Sequence, residues 1–138
     1  MRFKNPSIDE IKTILKSVRH IAIVGLSPKP NRPSHMVASK LQSFGYHIIP
    51  VRPAIEEVLG AQAYADLSDV PAPIDMVNVF RAPDKITPLV DICINRAIPV
   101  LWLQDGVVNE EQALRAQQAG ITVIMDRCTY RDYVSLIK

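Results

Sequence analysis

Apolar residues along this chain follow two spacings, one helical and one of short unbroken runs, and the two alternate. Ile8, Ile11, Ile14, Leu15 and Val18 share a helical face, and Ser7 with Glu10 makes an S-x-x-E capping box, so a helix is predicted over 7–18. The runs at 21–24, 47–51, 76–80, 100–103 and 121–125 are too short for helices and are predicted as strands. Between them, 36–44 has helical spacing and stops at Gly45. Thr87 and Pro88 suit the N-cap and first position of a helix that buries Leu89, Val90, Cys93, Ile94 and Ala97. Asn109 suits the N-cap of a helix over 110–119, with Glu110 and Glu111 in its first turn and Gly120 past its end. A closing helix over 130–137, a short helical turn over 55–59 and a brief strand over 62–64 complete the prediction.

Strands that are apolar at successive positions, rather than at every second one, need cover on both faces. The expected fold class is therefore α/β: a Rossmann-like, doubly wound, mostly parallel sheet of five or six strands with helices on both faces. Right-handed crossovers place the strand at 76–80, the fourth, beside the first.

Composition narrows the picture. A chain of 138 residues suits one domain with one core, and 48% apolar with 22% charged residues is ordinary for a packed globule. No apolar run approaches the roughly 18 residues that span a bilayer, and 1–12 lacks the apolar stretch of a secretory signal, so a cytoplasmic address without membrane contact is expected. The net charge of +2 is dispersed, without a basic stripe, which argues against nucleic acid. Cys93 and Cys128 have no ligand-like spacing, so no metal site is expected and both are read as free thiols.

In a doubly wound sheet, ligands sit beyond the carboxyl ends of the strands where the strand order reverses. The loop 25–34 is the strongest candidate there. Gly25 permits close backbone approach, Ser27 and Ser34 supply hydroxyls, Lys29 and Arg32 supply charge, and Pro33, with two further prolines, stiffens the approach to a helix start that favours anions. It is neither G-x-G-x-x-G nor a P-loop; a solvated proline-rich connector is the competing reading. Arg52 ends the second strand where an NAD-binding domain places an acid, so it reads either as a partner for a phosphorylated ribose or as a surface arginine. Arg81 reads either as a ligand contact or as a salt-bridge partner of Asp84 or Asp126. Trp102 is read as core, His35 as packed or solvated rather than a base, and Cys128 as buried and inert rather than a reactive thiol.

The ordered motifs Gly25-Leu26-Ser27, Arg32-Pro33-Ser34-His35, Val79-Phe80-Arg81, Trp102-Leu103-Gln104 and Met125-Asp126-Arg127-Cys128 together resemble the small stand-alone CoA-binding domain family. This family is related to the N-terminal CoA-binding domain of the succinyl-CoA synthetase alpha subunit. The resemblance implies coenzyme A, or an acyl-CoA, as ligand. Gly25, Ser27, Arg32 and Ser34 would line the pyrophosphate loop, Val51, Arg52 and Pro53 the adenosine side, and Phe80 and Arg81 the opposite wall. Gln104 and Gly106 would lie near the pantetheine path. The chain departs from the family pattern at Arg52, Ala54 and Asp105, and at Thr129 and Tyr130. The expectation is a CoA-binding protein holding its ligand at the carboxyl edge of the sheet, with no catalytic activity evident for the isolated chain. Any ligase role would need a partner chain, and whether the chain self-associates is left open. The alternatives are an NADP-dependent oxidoreductase and a ligand-free Rossmann-like interaction module.

Overall fold

The computed structural model describes residues 2–71 and 73–138. The strands are β1 (His20–Val24), β2 (His47–Val51), the two-residue β3 (Glu57–Val58) and β4 (Ala61–Gln62), β5 (Met76–Val79), β6 (Val100–Leu103) and β7 (Thr122–Met125). The helices are α1 (Ile8–Ser17), α2 (Pro33–Ser43), α3 (Thr87–Asn95), α4 (Glu110–Gln118) and α5 (Thr129–Leu136). Five strands form one sheet in the order β2-β1-β5-β6-β7, every pairing parallel. The strand at 76–79 thus lies beside β1, as the crossover rule requires.

Side chains alternate across the sheet, and both faces are apolar because both are covered. Ile21, Ile23, Met76, Trp102 and Ile124 pack with Ile11 and Leu15 of α1 and Val37 and Leu41 of α2. Ala22, Val24, Val77, Leu101 and Val123 pack with Leu89, Val90 and Cys93 of α3 and Ala113 and Ala116 of α4. Trp102 is fully buried, as read from the sequence, and its indole N–H donates to the Arg127 carbonyl at 2.7 Å. Burial pushes the Cys93 thiol up to about 12. At the β7 edge, Asn5 substitutes for a neighbouring strand: its amide donates to Met125 O at 3.0 Å and accepts from Met125 N at 2.8 Å.

Four expectations need correcting. The helical turn over 55–59 is instead a miniature hairpin, β3 pairing antiparallel with β4. Leu59 and Gly60 both take positive φ, 54° and 75°, the turn geometry that joins such strands, and this local turn chemistry overrides the short apolar spacing. The strand over 62–64 reduces to a single bridge between Tyr64 and Val51, with β4 ending at Gln62. Helix α2 begins three residues earlier than the apolar spacing indicated, because Pro33 fits its first turn. Helix α3 starts at Thr87 with Ile86 as N-cap, so Thr87 does not cap it, and Ala97 is exposed at φ 52° where the chain turns toward β6.

Candidate functional site

The carboxyl ends of β1, β2, β5 and β6 open onto a cleft of about 630 Å³. Its shape begins at Gly25. The residue sits at φ +85°, and a Cβ there would stand 2.2 Å from the Phe80 carbonyl oxygen, so the turn out of β1 passes too close to the end of β5 for any side chain. The Gly25 N–H donates to Val51 O and the Phe80 N–H donates to Val24 O, both at 2.9 Å, which ties the three strand ends together beneath the cleft.

The loop then folds on itself through its serines. Ser34 Oγ accepts from the Ser27 N–H at 2.9 Å, and Ser27 Oγ accepts from the Lys29 N–H at 3.1 Å. Each hydroxyl has spent acceptor capacity only, and its proton remains to donate. No side chain caps the start of α2, whose first position is Pro33. Backbone amides at the positive end of a helix therefore meet hydroxyl donors at one end of the cleft.

Lys29, Arg32, Arg52 and Arg81 all line this cleft, and among the described residues none of the four is in a salt bridge. The bridge from Arg81 to Asp84 or Asp126 weighed from the sequence does not form. Asp126 instead accepts from the Gly106 N–H at 2.8 Å, fixing the loop after β6. The one acid lining the cleft among the described residues, Asp105, is held by Arg131 through two bonds of 2.9 Å, and those bonds keep its carboxyl below the usual carboxylate range. A second hollow of about 500 Å³ runs along β2 near Gly60 to Gln62, but among the described residues no lysine or arginine lines it.

Of the residues singled out in the sequence, Gly25, Ser27, Lys29, Arg32, Pro33, Ser34, Arg52, Phe80, Arg81 and Gly106 line one cleft. Val51 is buried beneath it and contributes its carbonyl to Gly25. Pro53 is exposed in the turn beyond Arg52 and does not line the cleft. Gln104 lies outside the cleft, in an adjoining groove; it is 3% exposed, and its amide donates to Asn78 Oδ1 at 2.9 Å and to Thr129 Oγ1 at 2.7 Å. That amide is already engaged, so Gln104 positions the loop after β6 more than it offers a donor to a ligand. The Asn78–Gln104–Thr129 triad was missed in the sequence. Its signal is a lone asparagine inside the apolar run of β5, and it gives a place to Thr129, one of the positions that departs from the family pattern. Ala82, Pro83 and Val107 also line the cleft and were not singled out.

The model of a CoA-binding domain matches residues 19–133. The chain belongs to the CoA-binding domain family. Within this family setting it is 46% identical to the protein YneT of Bacillus subtilis, itself uncharacterized, over 91% of this chain and 93% of that one. It superposes on a hypothetical protein from Pyrococcus horikoshii with a TM-score of 0.92, 33% identity and full coverage of both chains. It is also 29% identical to an ADP-forming 4-hydroxybutyrate–CoA ligase of Nitrosopumilus maritimus, over 74% of this chain but only 15% of the ligase. The chain thus matches proteins of its own size along nearly their whole length, and only a fraction of a much longer enzyme. No described helix is long and apolar enough to cross a membrane.

Proposed function

We propose that this CoA-binding domain holds coenzyme A, or an acyl-CoA, in the cleft at the carboxyl edge of its sheet. One observation carries the reading: four cations without carboxylate partners line one cleft together with an uncapped helix start and two serine hydroxyls that still have protons to give. Charges left unpaired beside donors suit a ligand with several phosphates, which CoA has and a neutral metabolite lacks. The pyrophosphate would meet Ser27, Ser34, Arg32 and the α2 amides. Arg52, at the end of β2, would meet the 3′-phosphate on the ribose.

The isolated chain is read as a binder. His35 does not line the cleft, and among the described residues no serine or cysteine there has a histidine base beside it. The ligase activity belongs to a chain of which this one matches 15%, so turnover here would call on a partner. Isothermal calorimetry with CoA, 3′-dephospho-CoA, NADP and NAD tests the reading. The expected order is CoA first, dephospho-CoA below it and NAD last. Equal affinity for CoA and NADP would favour a nicotinamide site, and binding of none of the four would leave the interaction-module reading.

A further inference from the structure

The cleft does not end at Asp105. A second groove of about 540 Å³ runs between α2 and α5, and it shares Pro33, Phe80 and Asp105 with the cleft, so the two adjoin. Their chemistry is opposite. The cleft collects unpaired cations, whereas the groove's charged lining residues, Asp105 and Arg131, neutralise each other.

Gln104, Tyr130 and Ser135 also line the groove, and the rest of its lining is apolar. Met36 and Val37 lie on its α2 side, Val134 on its α5 side, and Cys128 also lines it. Met36 and Val134 are 49% and 41% exposed, two of only four large apolar side chains so exposed among the described residues. Nothing in the packing of the fold uses their outer surfaces, and methionine adapts to irregular apolar partners. A cationic basin beside a neutral, mostly apolar groove matches a ligand that is anionic at one end and aliphatic at the other.

We infer that the ligand is an acyl thioester of CoA, with the acyl chain lying in the α2–α5 groove against Met36 and Val134. The inference rests on the CoA reading above and deepens it by naming the ligand class. Each methylene moved from water to an apolar surface gains roughly fourfold in affinity when fully covered. An octanoyl chain, only partly covered in so open a groove, should therefore raise affinity by at least about tenfold over free CoA.

The test is calorimetry of the wild-type chain with CoA, acetyl-CoA, butyryl-CoA, hexanoyl-CoA and octanoyl-CoA, repeated on Met36→Glu and Val134→Glu. The expected result is an affinity that climbs with chain length in wild type. In each variant, octanoyl-CoA should fall back to the affinity of CoA on that same variant. Wild-type protein that binds CoA but gains nothing from chain length overturns the inference and leaves the CoA reading intact. A chain-length gain that survives in both variants also overturns it, because the chain would then lie elsewhere. Failure of every ligand, CoA included, overturns the CoA reading itself.

Discussion

Two groups of arginines sit at the same edge of the sheet and are used in opposite ways. Arg127 and Arg131, on and beside α5, are each clasped by a carboxylate: Arg127 by Asp132 at 2.7 and 2.9 Å, Arg131 by Asp105 at 2.9 Å twice. Arg32, Arg52 and Arg81, across the cleft, have no carboxylate partner among the described residues. A guanidinium bound to a carboxylate in the fold contributes to holding that fold. One left without a partner contributes little to folding and is available to a ligand. Residue type alone does not distinguish the two groups, and partnership does.

The largest effect that separates them is expected at Arg127. Asp132 has a side chain only 6% exposed, so removing its partner strands a buried charge. Arg127→Ala should lower the unfolding free energy by about 3 kcal/mol, the low end for a broken buried pair because Arg127 itself is partly exposed. Urea denaturation measures this. A loss below about 0.5 kcal/mol, the size of an ordinary surface change, would erase the distinction between the groups.

Arg32→Glu should do the reverse. Stability should stay within about 0.5 kcal/mol of wild type, because the residue is exposed and unpartnered. CoA affinity should fall at least ten- to a hundredfold, the equivalent of a charge-assisted bond worth about 1.5–3 kcal/mol. Calorimetry and urea melts on the same preparation read both quantities. A variant that melts early and binds normally would place Arg32 with the structural arginines.

The two groups also differ in how far the sequence revealed them. Strand and helix order were legible because the runs in β1, β2, β5, β6 and β7 are apolar at consecutive positions and the helices carry clear caps, as at Ser7 and Asn109. The cleft was legible because its residues cluster in loops that the topology must bring to one edge. What escaped was pairing between loops distant in sequence. Nothing near Asp105 announces that Arg131, 26 residues on, will neutralise it, nor that Asp126 will fix Gly106. Gln104 was expected near the pantetheine path, and its engagement by Asn78 and Thr129 was not visible because those partners come from two other elements. The hairpin at Glu57–Gln62 escaped because positive φ at Leu59 is not something a leucine advertises.

Within the unpaired group, Arg52 is expected to act on one feature of the ligand only. Wild type should prefer CoA over 3′-dephospho-CoA by ten- to a hundredfold, if one charge-assisted contact to the 3′-phosphate contributes about 1.5–3 kcal/mol. Arg52→Ala should remove that gap while leaving dephospho-CoA affinity nearly unchanged, since its pyrophosphate contacts lie at the α2 start. A gap that persists in the variant would assign the 3′-phosphate to Lys29 or Arg81 instead.

The smallest effect, and the sharpest test of the pairing argument, lies at Asp105. Its side chain is half exposed and Arg131 is 62% exposed, so the pair should contribute under about 1 kcal/mol to stability at neutral pH. The sign of its pH dependence is fixed by the direction of the shift. The hydrogen bonds from Arg131 hold the Asp105 carboxyl below its ordinary value, despite slight burial that alone would raise it. The folded state therefore binds the proton less readily than the unfolded chain does. The contribution is complete above the unfolded aspartate value of about 3.9 and is lost as pH falls through the lower folded value. Asp105→Asn should thus melt slightly earlier than wild type at pH 7, with the difference closing below about pH 3.9. Ligand binding should move the other way. Removing an anion from the wall of a cationic cleft should tighten CoA binding slightly, whereas Arg131→Gln, which leaves Asp105 bare, should weaken it. If both substitutions weaken CoA binding alike, Asp105 is itself a ligand contact and its pairing with Arg131 is incidental.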